Sequence, residues 1–125
     1  MTQDSANEVW PSELRLNPEK NLLSLAFQDG TSEGLSAEML RVMSPSAEVQ
    51  GHSPSERKLV SGKRNVTIKA VEQVGNYAVK LVFSDGHDTG LFTWPLLHGM
   101  ARRKAELWDG YLKELADAGK SRDPA

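Results

Sequence analysis

The sequence predicts an α+β domain: an antiparallel meander or sheet of about six short strands, with one short helix and one long C-terminal amphipathic helix. Three observations predict it. Between residues 13 and 93 apolar residues alternate with polar ones in several short runs, the period of half-buried strands. Asp29-Gly30, Gly75-Asn76 and Asp85-Gly86 separate these runs, and such pairs supply the positive φ that tight hairpin turns need. From Pro95 the apolar spacing lengthens to that of a helix. Strands first and a long helix afterwards pack as a helix on one face of an antiparallel sheet.

Residues 1–10 read as a flexible tail. Glu13 to Leu16 alternates and forms the first strand, Asn17-Pro18-Glu19-Lys20 turns, and Leu22, Leu23, Leu25 and Phe27 mark the second. Thr31 to Leu35 returns as the third. Ser36 is an N-cap for a short helix with Met39 and Leu40 on its inner face, ended by Ser44-Pro45-Ser46. The stretch from there to Gly62 is rich in Ser, Pro, Gly and charge and reads as a long loop with a short strand around Glu48 to Gly51. Val66, Ile68 and Ala70 begin a strand, Tyr77 to Ser84 forms its hairpin partner, and His87 to Thr93 is the return strand. Pro95 opens a helix to about Ala116, interrupted near Gly99, with Leu97, Ala101, Ala105, Trp108, Leu112 and Leu115 as its apolar stripe. Gly119 stops it. Residues 11–118 are thus expected to form one domain, with a second flexible tail at 119–125.

The chain has 125 residues, 38% hydrophobic and 26% charged, with a net charge of −2, the balance of a globular protein rather than a disordered one. No cysteine is present, which excludes disulfides, thiolate metal sites and Cys nucleophiles within these residues. No apolar run is long enough to span a bilayer, the polar and acidic N-terminus does not read as a signal peptide, and the cytosol is the expected compartment. Residues 1–50 hold 8 acidic and 3 basic side chains, whereas residues 51–100 hold 4 acidic and 6 basic. The densest basic stretch, Arg57, Lys58, Lys63 and Arg64, carries no interleaved aromatics, which argues against nucleic acid.

Local patterns of catalytic chemistry are sparse. Ser61-Gly62-Lys63 resembles part of a phosphate loop, but Arg57 stands where its first Gly belongs and Arg64 where Ser or Thr should follow the Lys. His52, His87 and His98 with Asp85 and Asp88 offer imidazole and carboxylate for a metal. Yet His87 and Asp88 are adjacent, so a strand sends them to opposite faces. No G-x-S-x-G elbow marks a serine nucleophile. Trp94 and Trp108 read as core, and Trp10 as an anchor or partner contact.

Three stretches together carry a family resemblance: Leu40 to His52, Leu59 to Val66, and Val74 to Val79 leading to Phe83-Ser84-Asp85-Gly86-His87-Asp88-Thr89-Gly90-Leu91-Phe92-Thr93-Trp94. Over residues 12–100 the chain resembles the gamma-butyrobetaine hydroxylase-like N-terminal domain, a small domain of unknown function found alone in many bacteria. In eukaryotic carnitine-pathway oxygenases the domain precedes a separate catalytic domain that holds iron and 2-oxoglutarate. The resemblance therefore implies that these 125 residues are not themselves a hydroxylase. In those oxygenases three Cys and one His bind a structural zinc. By register the Cys positions fall at Ser44, Ser46 and Val49 and the His at His87, so only His87 matches. The implication is that the zinc is absent and that packing and hydrogen bonds close this corner. A similar domain ends some plant P-loop iron–sulfur carriers of the Mrp type, which points toward iron–sulfur assembly.

The expected function is a non-catalytic binding or adaptor module with no cofactor and a protein partner, using Gly62, Lys63, Asn65, Gly86, His87 and Asp88 as its recognition surface. Lys63 supplies a point charge, and His87 a group that titrates near neutrality. The plainer alternative is that these residues only specify turns. Two further alternatives are an accessory factor in iron–sulfur cluster assembly or transfer, and a small enzyme using His87 with Asp88 or Lys63.

Overall fold

The computed structural model describes residues 10–51 and 57–124. The expectations for residues 1–9 and for His52 lie outside the described residues. The chain runs β1 (Pro11–Leu16), β2 (Leu22–Phe27), β3 (Ser32–Ser36), α1 (Ala37–Val42), α2 (Ala47–Gln50), β4 (Ile68–Val74), β5 (Ala78–Phe83), β6 (Leu91–Thr93), α3 (Trp94–Arg102) and α4 (Lys104–Ala118). The α+β class and the six strands are as expected. The strands divide into two three-stranded antiparallel sheets, β1-β2-β3 and β4-β5-β6. The division follows from the chain's excursion through α1, α2 and the long loop, after which β4 pairs with β5. A single backbone hydrogen bond, from the Ile68 N–H to the Lys20 carbonyl at 2.8 Å, ties the start of β4 to the turn before β2.

One core joins both sheets. Leu23, Leu25 and Phe27 of β2 alternate inward and meet Leu35, Leu40, Leu81, Phe83 and Phe92, with Leu97 and Met100 of α3 closing the cluster. The expected single long helix is two helices. Arg103, at φ −111° and ψ 22°, breaks the run, and its N–H still bonds the Gly99 carbonyl. The break resets the helical phase, so α4 turns Tyr111 and Leu115 inward, with Leu107 and Trp108 half-buried, while Ala105 and Leu112 of the expected stripe face solvent. Consequently α3 covers the main core, whereas α4 packs Tyr111 and Leu115 on Val42, Leu59 and Val60 in a second, smaller cluster.

Two further elements differ from expectation. Glu48 to Gly51 lies in a helical turn rather than a strand: the Ser46 hydroxyl caps it by accepting from the Glu48 N–H at 3.1 Å, and Gly51 leaves it at φ +69°. The return strand is only Leu91–Thr93, because residues 87–90 are taken up by the turn described below. At the end of α4, Gly119 is left-handed and the N–H of Lys120 reaches the Leu115 carbonyl, a Schellman closure. The stretch beyond it, expected as a flexible tail, makes defined contacts. The Gly62 and Arg64 N–H groups donate to the Ser121 and Arg122 carbonyls. The Arg122 guanidinium grips buried Glu38 with two hydrogen bonds, of 2.9 and 2.7 Å, and lies over the Trp108 ring.

Candidate functional site

The β5–β6 turn, Ser84 to Gly90, is where most of the sequence-predicted site residues meet the rest of the molecule. Phe83 and Gly86 close the turn by main-chain bonds, the Gly86 N–H to the Phe83 carbonyl and the Phe83 N–H to the His87 carbonyl. Gly86 sits at φ +93°, which a side chain would strain. The Asp85 carboxylate accepts the His87 N–H at 3.1 Å, so Asp85 and Gly86 together set the direction in which His87 leaves.

His87 leaves inward. Its side chain is 2% exposed, against the Phe83 ring. Nε2 lies 2.9 Å from the Ser44 hydroxyl at the end of α1, and Nδ1 lies 3.1 Å from a Glu48 carboxylate oxygen on α2. A carboxylate can only accept, so Nδ1–H donates to Glu48, and the Ser44 hydroxyl, which can donate or accept, satisfies Nε2. Beside it the hydroxyls of Ser46 and Thr89 meet at 2.6 Å, and Gln50 donates to the Ser44 carbonyl. Gly90 is pressed onto this cluster, where an added Cβ would fall 2.3 Å from the Ser44 hydroxyl oxygen. The order hydroxyl–imidazole–carboxylate is that of acyl-transfer triads. Here, however, the hydroxyl end is wholly buried and the carboxylate side chain is 62% exposed. A nucleophile needs the opposite.

Ser44, Ser46 and His87, at which the resemblance implies three ligand positions, come together, and Val49 is buried one turn further along α2. Two neutral hydroxyls, an aliphatic side chain and an imidazole bonded at both nitrogens are not a donor set that suits zinc. Among the described residues no three His, Cys, Asp or Glu groups are placed to share a metal ion. His98 belongs elsewhere, 2.7 Å from Asp29 and edge-on to Phe27. The Thr31 N–H, followed by His98, holds Asp29 down at about 2.

The outer side of the same turn is charged. Lys63 Nζ lies 2.6 Å and Arg41 Nε 2.8 Å from the same Asp85 oxygen. Burial pushes Asp85 up, but bonds from Lys63, the His87 N–H and Arg41 outweigh it and hold the carboxyl at about 2. Among the sequence-predicted residues, Lys63 pairs with Asp85, the neighbour of Gly86, and Gly86, Asn65 and Asp88 are exposed. His87 is removed from the surface. The Gly62 N–H is bonded to Ser121, so the Ser61-Gly62-Lys63 loop does not hold that group out for a phosphate. Arg41 and Glu48 were not singled out from the sequence. Their contacts span 44 and 39 residues, and no local pattern marks them.

The chain belongs to the family described as gamma-butyrobetaine hydroxylase-like, N-terminal, whose profile matches residues 14–98. Two proteins solved in solution by NMR resemble it closely. One is 53% identical with a TM-score of 0.80, over 93% of this chain and 91% of that one. The other is 47% identical with a TM-score of 0.79, over 99% and 92%. A protein of unknown function of the DUF971 family from Acidithiobacillus ferrooxidans ATCC 23270, solved by crystallography, is 37% identical with a TM-score of 0.61, over 73% of this chain and 91% of that one. No curated protein matches the chain.

Proposed function

We propose that this chain acts as a stand-alone, non-catalytic binding module, an adaptor that meets a partner protein at the corner formed by Lys63, Gly86 and Asp88. In place of the zinc that the resemblance to oxygenase N-terminal domains implies, the reading gives it a hydrogen-bonded corner. The observation that carries it is the division of labour in one turn. His87 faces the interior and fastens the turn to α1 and α2, while the outer side presents Lys63 and Arg41 around a single carboxylate. A rigid turn with partly exposed charge suits recognition, because little side-chain freedom remains to be lost on binding. The non-catalytic part rests on the burial of the Ser44 hydroxyl.

The test is affinity capture from native lysate under anaerobic conditions, with the bound proteins identified by mass spectrometry. Lys63→Ala with Asp88→Ala, checked for folding by circular dichroism, is the comparison. A protein held by the wild type and lost by the folded variant supports the reading, and an iron–sulfur protein in that position would place the module beside cluster assembly. A captured set that the substitutions leave unchanged overturns it.

A further inference from the structure

We infer that Arg41 and Lys63 form an oxyanion-binding site at the outer side of the β5–β6 turn, one that takes a phosphate or carboxylate group. The inference deepens the adaptor reading, on which it rests for its biological use. Its first support is charge: two cations face one carboxylate, so the cluster keeps one positive charge. Asp85 is already fully engaged, with one oxygen shared between Arg41 and Lys63 and the other accepting the His87 N–H. The second support is an orphaned donor. A guanidinium offers five N–H groups in a rigid fork, and Arg41 Nη1 is buried with no acceptor, alone in this among the described side chains. A buried donor without a partner is costly, and an incoming oxyanion removes that cost. The third support is access. The Arg41 and Lys63 side chains are 13% and 25% exposed, so the cluster reaches solvent although Nη1 itself is covered. The inference requires that binding rotate the guanidinium so that the orphaned edge turns outward, with Lys63 beside it as a flexible point charge. Phosphate and carboxylate both match the fork, because both present paired oxygens at its spacing.

The experiment is a titration of the full-length 15N-labelled protein with sodium phosphate and, separately, sodium acetate, each against sodium chloride at equal ionic strength. The reporters are the Arg41 Nε–H signal and the Lys63 and Gly86 amides. Saturable shifts confined to these groups are expected, lost in Arg41→Gln and in Lys63→Gln. Asp85→Asn should tighten binding about tenfold, since it removes the competing charge yet leaves an oxygen for the His87 N–H. Saturation with phosphate alone assigns the site to phosphoryl groups, and saturation with both extends it to side-chain carboxylates. Shifts no larger than those in chloride, or spread over surface lysines, overturn the inference, as does Asp85→Asn binding no more tightly than the wild type. Partner capture without anion binding sinks this inference alone. Anion binding beside a partner indifferent to Lys63 sinks the adaptor reading alone.

Discussion

The β5–β6 turn has an inner and an outer half, and they use the same chemistry under opposite conditions. Inside, His87, Ser44 and Glu48 form a chain of neutral and charge-assisted hydrogen bonds in which the ring is sealed from water. Outside, Arg41, Lys63 and Asp85 form a charged cluster with the Asp85 side chain 20% exposed. Only Gly86 separates His87 from Asp85, yet one is an anchor and the other a surface group. Burial rather than residue type decides which half contributes to stability and which is free to act on a ligand. Substitutions inside should therefore cost the most folding energy, and substitutions outside less.

Gly90 gives the sharpest way to break that contrast. Gly90→Ala places a methyl group 2.3 Å from the Ser44 hydroxyl oxygen and 3.2 Å from the Phe92 ring, both in buried surroundings. The expected loss is about 3 kcal/mol in chemical denaturation. Combining it with Ser44→Ala removes the struck oxygen, so the double variant should be more stable than the sum of the two losses. Additive losses would mean that the clash is not with Ser44. Next in size is His87→Ala, which empties a packed site beside Phe83 and leaves the Ser44 hydroxyl without its ring partner. About 2 kcal/mol is expected. A loss below about 0.5 kcal/mol would show that the inner half does not anchor the turn.

The outer half is read through pH. Asp85 has a folded pKa of about 2 against an ordinary 3.8, so its bonds to Lys63, the His87 N–H and Arg41 stabilise the fold above pH 3.8 and are lost as pH falls toward 2. Wild type should lose on the order of 1–2 kcal/mol more than Asp85→Asn between pH 5 and pH 2, once screening at this partly exposed position is allowed for. Parallel acid limbs for the two proteins would mean that the Asp85 bonds add nothing to stability.

Much of this arrangement was legible in the sequence because it is local. Strands with period-two patterning, Asp-Gly turns and caps such as Ser36 depend on neighbours within a few residues, and they fall where expected. The α2 turn was missed because four residues carry too little periodicity. The signal present was Ser46, a capping residue ahead of Glu48. The break at Arg103 has no local sign, since Arg is a good helix former and the expected interruption was at Gly99. The candidate site was half legible. Lys63 and the Asp85-Gly86 turn were recognisable as special, but the inward turn of His87 and the partnership of Arg41 with Asp85 depend on contacts over about forty residues. The C-terminal stretch reads as a tail because it is a chain end without a large apolar side chain, whereas the structure fastens it through Arg122 and Glu38, an ion pair with no pattern at either end.

Lys63→Ala is the smallest effect and the one that sharpens the comparison most. The ammonium gives up one ion pair at 2.6 Å, but Asp85 keeps Arg41 and the His87 N–H, so the turn keeps its shape. Partly exposed pairs of this kind are worth about 0–1 kcal/mol, and the expected change in stability is at the low end of that range. Partner capture and phosphate binding should nevertheless fall together, because both use the charge rather than the fold. A Lys63→Ala protein that melts well below the wild type would move Lys63 from the outer half to the inner one. The turn would then be a single structural unit without a surface reserved for recognition.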